Sequence, residues 1–246
     1  MRQEDVWNHQ VARGYDTPGT GMFSAEVLEP AVARLAELAG GGRALEFAVG
    51  TGRVAIPLSQ CGVPVTGIEL SEPMIGQLRT KADETAIPVL AGDMTTTRAP
   101  GTYTLVYLVY GAITCLQTQA EQVACFRNAA RHLISGGRFV VEMGVPDLRS
   151  LPPGQQGIVA RVQPGYMIVD TYDVLHQILV SYHFTYGADG AAQLWRSPHR
   201  YIWPSELDLM AALAGFELEA RHADWAGAEF TAGSRSHVST YRLTAS

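Results

Sequence analysis

Apolar runs alternate with amphipathic segments along the first 146 residues of the chain. In residues 26–39 the apolar side chains recur at helical spacing, which predicts a helix that the glycines at 40–42 end. Further helices are predicted over about 53–60, after the N-cap Ser71, and over 119–134. Five short apolar runs predict strands, and they cover residues 43–48, 63–70, 87–93, 102–110 and 138–143.

The predicted strands are apolar without clear alternation and are joined through helices. This pattern indicates a parallel sheet that helices cover on both faces. Right-handed crossovers make such a sheet doubly wound, and its ligands bind outside the carboxyl ends of the strands. We therefore predict an α/β fold with a doubly wound, mainly parallel, Rossmann-like sheet.

The pattern changes after Pro146. Residues 157–203 are rich in Val, Ile, Tyr and Thr and are broken by Gly and Pro, which predicts three or four antiparallel strands. A helix over 204–214 and two closing strands follow, the last over 237–244. We expect an N-terminal lid segment (1–25), a core (26–146 and 204–246) of seven strands that ends in an antiparallel pair, and an inserted β-rich subdomain (147–203) that covers the substrate or forms a dimer.

Composition narrows the possible functions. The 246 residues are 47% hydrophobic and 17% charged, which is ordinary for a globular protein. A net charge of −6 argues against binding to nucleic acid or to an anionic membrane, since both need a basic face. No signal pattern or membrane span is evident. The three cysteines have no metal or CxxC spacing, so we expect buried thiols in a cytoplasmic protein.

A glycine-rich turn follows the first predicted strand. Residues 50–55, GTGRVA, fit the G-x-G-x-x-G/A fingerprint that seats the pyrophosphate of a dinucleotide. The turn alone does not distinguish a nicotinamide cofactor from other nucleosides. The acidic residues near the turn distinguish between these cofactors.

Three acids stand near the ends of the first three strands. Glu69, 17 residues after Gly52, is placed to accept the hydroxyls of a ribose, and Asp93 to accept from an adenine amine while Met94 covers the ring. Glu46 lies within the first strand, where a carboxylate would oppose a pyrophosphate. S-adenosylmethionine has no phosphate and carries two cationic groups. The acids therefore favour S-adenosylmethionine.

Four motifs in order resemble those of class I S-adenosylmethionine-dependent methyltransferases: EFAVGTG at 46–52, GIELS at 67–71, GDM at 92–94 and LISGGRF at 133–139. Arg53 stands where many members have a third glycine. The resemblance implies that Glu69 binds the ribose, that Asp93 binds the adenine edge, and that Gly50 and Gly52 lie beneath the methionine moiety. The complete expected cofactor site is Glu46, Gly50, Thr51, Gly52, Arg53, Glu69, Leu70, Met74, Asp93, Met94 and Tyr110.

The insertion also resembles the small-molecule branch of that family, which includes amino-sugar N-methyltransferases of natural-product pathways. We expect methyl transfer to an N, O or C nucleophile of a small molecule, with S-adenosylhomocysteine as the product. No convincing base is evident, which favours an amine or an acidic hydroxyl. The alternatives are a cyclase that retains the cofactor without methylating, a binding module with a decayed site, and a nicotinamide dehydrogenase.

Three residues are candidate catalytic groups: Tyr110 at the end of the fourth strand, Tyr15 in the lid segment, and His183 in the insertion. His199 is a second possible base, whereas His132 is expected on a solvated helix face. No histidine has metal-ligand spacing, so no metal is expected. Seven aromatic residues of the insertion could cover a substrate, pack the strands or form a homodimer surface: Tyr172, Tyr182, Phe184, Tyr186, Trp195, Tyr201 and Trp203.

Overall fold

A computed structural model describes residues 6–187 and 190–244 of the chain. Two sheets organise these residues. The first has seven strands in the order β10-β11-β5-β4-β1-β2-β3, and the second has four strands in the order β6-β7-β8-β9. The predicted fold class is confirmed, including the inserted antiparallel strands.

The strands of the larger sheet are β1 (Ala44–Phe47), β2 (Val65–Glu69), β3 (Val89–Ala91), β4 (Tyr103–Leu108), β5 (Leu133–Gly144), β10 (Phe216–His222) and β11 (Ser236–Leu243). The first five pair in parallel, and β11 runs antiparallel to both β5 and β10. The direction of the strand order changes at β1, which lies between β4 and β2. The loops that follow β1 and β4 therefore border the same crevice at the carboxyl ends of the strands.

The helices are α1 (His9–Arg13), α2 (Ala25–Ala39), α3 (Ala55–Gln60), α4 (Glu72–Arg79), α5 (Gln119–His132) and α6 (Pro204–Leu213). Their caps follow the sequence: the Ser71 hydroxyl accepts from the amide of Met74, and Thr118 forms a capping box with Glu121. Two apolar clusters, one around Leu35 and Leu58 and one around Phe126 and Phe139, form the core. No helix in the described ranges is long and apolar enough to cross a bilayer.

The second sheet consists of β6 (Gly157–Gln163), β7 (Tyr166–Asp173), β8 (Ile178–Tyr186) and β9 (Ala192–Arg200). A buried polar network attaches it to the larger unit. The Arg200 guanidinium donates to Gln122, Gln177 and Glu206, while the Gln122 amide donates to the carbonyls of Ile113, Leu116 and Arg200. Since these groups come from β9, α5, α6 and the loop after β4, the network fixes the sheet over the strand ends.

Two expectations about individual residues are wrong. His132 is completely buried: its Nδ1 donates to the carbonyl of Asn128 and its Nε2 accepts from the amide of Ala99. Both ring nitrogens have hydrogen-bond partners, which offsets the cost of burying a polar ring. Desolvation by burial lowers the pKa of this histidine. Of the three cysteines, Cys125 alone is fully buried, since Cys61 is exposed and Cys115 is half-buried.

Candidate functional site

A cavity of about 1640 Å³ lies between the carboxyl ends of the parallel strands and the inner face of the second sheet. Its floor is formed by residues that follow β1, β2, β3 and β4. The N-terminal segment forms a third side through Trp7, Tyr15 and Met22. Each of the predicted cofactor and catalytic residues lines this cavity except Gly52.

Glu69, at the end of β2, connects two loops of the floor. Its Oε2 accepts from the amide of Gly50 and its Oε1 accepts from the amide of Ser71, both at 2.8 Å. Burial raises its pKa, and these two amide donors oppose that rise. Each carboxylate oxygen has a second lone pair available to a hydroxyl group. The Gly50 amide, by contrast, already donates to an acid.

Glu46 lies deeper in the floor and is almost fully buried. Its Oε2 accepts from the hydroxyl of Tyr107 at 2.8 Å. Desolvation raises the pKa of Glu46 to about 8, against the opposing effects of the Tyr107 hydrogen bond and the Arg53 charge. A cation placed next to this carboxyl group would favour its ionised form.

The two glycines of the turn have different roles. Gly50 has φ +56°, and a Cβ there would meet only the carbonyl oxygen of Ala48, at 3.9 Å, so the side facing the cavity is open for a ligand. Gly52, also at positive φ, would place a Cβ 2.9 Å from the side chain of Ile56 and 3.1 Å from Leu78. Gly52 therefore serves packing and backbone geometry, and its expected position beneath the methionine moiety stays a prediction.

Asp93 and Met94 follow β3 at the next edge of the cavity. The Asp93 Oδ1 accepts from the amide of Thr95 at 2.7 Å, and this turn holds the carboxylate at the cavity wall. The Asn128 side chain donates to the carbonyl of Met94 and fixes the same loop from behind. Leu70 and Met74 line the wall between the Glu69 and Asp93 loops.

Tyr15 and Tyr110 border the middle of the cavity. Tyr15 makes edge contacts with Trp7 and Phe23, and burial raises its pKa far above the usual value for a tyrosine. Tyr110 has φ +54°, an uncommon conformation for a non-glycine residue, and the residue is 58% exposed. The Arg53 guanidinium lies 5.4 Å from the centre of the Tyr110 ring.

The inner face of the second sheet presents polar and aromatic side chains to the cavity, together with the guanidinium of Arg161. The His183 ring stacks on Trp195, with their centres 3.6 Å apart, and its nitrogens contact the hydroxyls of Tyr166 (2.6 Å) and Ser197 (3.0 Å). His199 Nδ1 contacts the hydroxyl of Thr114 at 3.0 Å. Desolvation lowers the pKa of each histidine to about 4, so both imidazoles are neutral at pH 7.

Strand alternation separates the aromatic residues that the sequence groups together. His183 and Trp195 point into the cavity, whereas Tyr182, Phe184 and Tyr186 lie on the opposite face of the sheet. On that outer face Tyr182 contacts the guanidinium of Arg196. The aromatic residues of these two strands therefore lie on two different surfaces, the cavity wall and the outer face of the sheet.

Three residues of the site were not anticipated from the sequence: Thr114, which lines the cavity, and Tyr107 and Asp16, which form hydrogen bonds to the lining residues Glu46 and Thr51. Tyr107 reaches Glu46 because the parallel register places them directly opposite each other on β4 and β1. That register could have been predicted once the strands were assigned. Thr114 and Asp16 lie in loop segments that carry no motif. No group of acidic, histidine or cysteine side chains in the described residues could hold a metal ion.

Comparison with known proteins decides the family. Residues 44–137 match the family described as "Methyltransferase domain". The structure of the CcbJ methyltransferase from Streptomyces caelestis is 34% identical, covers 98% of each chain and superposes with a TM-score of 0.85. The chain belongs to the S-adenosylmethionine-dependent methyltransferases.

Other relatives support this membership. A cypemycin N-terminal methyltransferase from a Streptomyces species is 27% identical over 203 residues, which cover 78% of this chain and 79% of the relative. The structure of an amino pentose methyltransferase from Micromonospora echinaspora, at 22% identity and a TM-score of 0.66, covers 96% and 95% of the two chains and shares the fold. The predictions of a methyltransferase and of its cofactor are confirmed, and nothing in the comparisons favours a cyclase.

The donor set of the cavity agrees with S-adenosylmethionine rather than with a dinucleotide. A pyrophosphate at the glycine turn would approach the Glu69 carboxylate, which already accepts the Gly50 amide. Helix α3 begins only at Ala55, so it offers no N-terminus directly at the turn. Glu46, Glu69 and Asp93 instead give three carboxyl groups to a ligand with an ammonium, two ribose hydroxyls and an adenine amine.

Proposed function

We propose that this enzyme transfers a methyl group from S-adenosylmethionine to an amine nitrogen of a small molecule. One observation carries the proposal: a single cavity joins an acid-bearing floor to a wall of polar and aromatic side chains on the second sheet. Pockets for one drug-sized ligand span roughly 300–1,000 Å³. At about 1640 Å³ this cavity has room for the cofactor and an acceptor side by side.

In this proposal the floor residues hold the cofactor. Glu69 accepts the ribose hydroxyls with its remaining lone pairs, and Asp93 accepts the adenine amine while Met94 lies against the ring. Glu46 faces the ammonium group, whose charge offsets the cost of ionising a buried acid. The open face of Gly50 accommodates the methionine chain, and Thr51, Arg53, Leu70 and Met74 complete the surroundings.

The acceptor lies between Tyr110 and the second sheet. The bound cofactor supplies a methyl group on a cationic sulfur, and the reaction is an in-line displacement for which alignment and exclusion of water matter most. Tyr15 and Tyr110 border this position and exclude water from it. His183 and His199 are too weakly basic, with pKa values of about 4, to deprotonate an alcohol. They suit hydrogen bonding to a neutral amine or to hydroxyl groups nearby.

The relatives support a nitrogen acceptor. One curated relative is a cypemycin N-terminal methyltransferase. Structures that share the fold include a sugar N-methyltransferase from a Streptoalloteichus species and a glycopeptide N-methyltransferase. We carry over from them only the class of reaction, N-methylation of a natural product or its precursor.

We also propose a homodimer formed through the outer face of the second sheet. That face is apolar and includes exposed Val162 (71%), Val159 (59%) and Tyr186 (44%). None of these three residues lines the cavity, and a second copy of the sheet would cover them. Residues 147–203 then serve both as acceptor wall and as interface, residues 1–25 as lid, and the remaining residues as core.

The experiment uses S-adenosylmethionine with an isotopically labelled methyl group. The protein is incubated with a panel that contains amino sugars, peptides with free N-termini, and hydroxyl analogues of each, and products are identified by mass spectrometry. The Glu69→Ala variant is the control for transfer that does not depend on the proposed site. Label in an amine product agrees with the proposal; label only in hydroxyl analogues contradicts it.

A further inference from the structure

The N-terminal strap, defined here as residues 6–24, is held at the cavity by four side chains. The Ser71 hydroxyl donates to the carbonyl of Trp7 at 2.6 Å, and the Arg53 guanidinium donates to the carbonyl of Met22 at 3.1 Å. Asp16 makes the other two contacts. Its Oδ1 accepts from the Thr51 hydroxyl and its Oδ2 pairs with the Lys81 ammonium, both at 2.5 Å.

The partners of the strap belong to the cofactor side of the cavity. Thr51 and Arg53 are part of the glycine turn, and Ser71 stands two residues after Glu69, to whose carboxylate its amide donates. Asp16 thereby links the strap to the turn and to the end of α4 with one carboxylate. Lys81 is the single lysine in the sequence. The strap therefore lies against the loops on which the cofactor would rest.

The two contacts of Asp16, with the Thr51 hydroxyl and the Lys81 ammonium, are here called the latch. The side chains of Asp16 and Lys81 are 29% and 33% exposed, so the ion pair is reached by solvent and can break without unfolding the core. The Thr51 hydroxyl is buried, so its hydrogen bond to Asp16 is lost when the strap moves away. Tyr15, the adjacent residue, would leave the cavity with the strap.

We propose that Asp16 is a positioning residue that keeps the strap closed over the bound cofactor, through Thr51 and Lys81. The inference rests on the proposed position of the cofactor in the floor of the cavity. Release of S-adenosylhomocysteine requires this latch to open, so the strength of the latch controls the rate of product release. The acceptor wall on the second sheet is not part of this device.

Four variants separate the contributions. Asp16→Ala removes both contacts, while Asp16→Asn retains an oxygen for the Thr51 hydroxyl but loses the charge. Lys81→Met removes the ammonium alone. Glu37→Gln is the matched control, because it removes an acid from the Arg34–Glu37 ion pair, which also lies at the protein surface but outside the cavity.

Two measurements report on the latch without measuring activity. The first is the dissociation rate of S-adenosylhomocysteine in stopped-flow displacement. The second is the rate of tryptic cleavage after Arg13, an exposed residue of the strap, with and without S-adenosylhomocysteine. We expect Asp16→Ala to raise the dissociation rate roughly tenfold and Asp16→Asn and Lys81→Met to raise it about threefold. Cleavage of the loaded protein accelerates in the same order, and Glu37→Gln behaves as wild type.

Salt gives an independent check, because added KCl screens a half-exposed ion pair. It should accelerate dissociation from the wild-type protein and have little effect on Lys81→Met. Equal dissociation rates and equal protection of Arg13 in wild type and in both Lys81→Met and Asp16→Asn would overturn the inference. If wild-type protein does not bind S-adenosylhomocysteine, the proposed cofactor site itself is wrong, which is a distinguishable result.

Discussion

Tyr107 donates its hydroxyl hydrogen to Oε2 of Glu46 at 2.8 Å, in the buried floor of the cavity. The two residues stand opposite each other on neighbouring parallel strands. Burial favours the neutral form of this carboxyl group, with a pKa of about 8, and a cationic ligand favours the ionised form. Glu46 therefore lowers the stability of the fold at high pH, where the carboxyl group is ionised, and the ionised form favours binding of a cation.

The first prediction concerns Glu46→Gln, which keeps an oxygen for the Tyr107 hydroxyl but cannot ionise. A carboxyl group whose pKa is raised on folding stabilises the protein fully below its unfolded pKa and loses that contribution as pH rises through the folded pKa. The wild type therefore loses stability between about pH 4.5 and pH 8. At pH 9 we expect the variant to be more stable by about 2 kcal/mol, measured by urea unfolding.

The same variant should bind S-adenosylmethionine more weakly, by roughly tenfold. At pH 7 the wild-type protein should release a proton on binding, because the ammonium ionises Glu46. Calorimetry in two buffers with different ionisation enthalpies measures this proton. Equal proton release by the wild type and Glu46→Gln would show that Glu46 does not face the cation.

The second prediction concerns the wall of the acceptor space. Trp195→Ala removes the ring stacked on His183, so we expect the KM for the acceptor to rise about tenfold while the Kd for S-adenosylmethionine changes less than twofold. Arg196→Gln, on the outer face of the same strand, is the control and should leave both constants unchanged. A matching loss of cofactor affinity in Trp195→Ala would contradict a wall specific to the acceptor.

The third prediction concerns the dimer. Val162→Glu places a charge in the exposed apolar face of the second sheet, so it should convert the protein to monomer in size-exclusion chromatography with light scattering. Leu175→Glu alters a leucine that is 82% exposed in the turn between β7 and β8, and it should leave the dimer intact. A wild-type protein that is monomeric at micromolar concentration would rule out the proposed interface.

The fourth prediction concerns acid sensitivity. His237 is completely buried, and its Nε2 has no hydrogen-bond partner among the described residues. Burial lowers its pKa to about 4, with Arg221 lowering it further and Asp208 opposing this. A histidine with a depressed pKa takes up its proton only on unfolding, so the protein loses stability as pH falls from about 6.5 towards 4. His237→Gln should show a smaller drop in the urea midpoint between pH 7.5 and pH 5; an identical drop would refute this assignment.

Much of the fold could be predicted from the sequence, because apolar runs and caps are local signals. The structure shortens several elements: β3 covers Val89–Ala91 within the predicted 87–93, and α3 begins at Ala55 rather than near Arg53. The backbone before α3 has to leave the glycine turn first, and Gly52 is at positive φ. Strand β5 begins at Leu133, so residues 133–137, which lie between the end of the predicted helix and the predicted strand over 138–143, belong to this strand.

The sequence predicts which residues form the site, but it does not predict the hydrogen bonds that join them to other loops. Glu46, Glu69 and Asp93 stand at strand ends, and the parallel topology brings such positions together. The bond of Asp16 to Thr51 joins residues 35 positions apart through a segment without periodicity. His132 shows the same limit, because its burial depends on a backbone amide from another loop.

The most direct test of the proposed cofactor site is a calorimetric titration of the wild-type protein with S-adenosylmethionine and, separately, with NAD, repeated on Glu69→Ala. We expect that S-adenosylmethionine binds, that NAD does not, and that the variant loses at least about tenfold in affinity, since Glu69 is proposed to accept the ribose and also holds the Gly50 amide. Binding of NAD, or unchanged affinity for S-adenosylmethionine in the variant, would contradict the assignment of the acids on which the account rests.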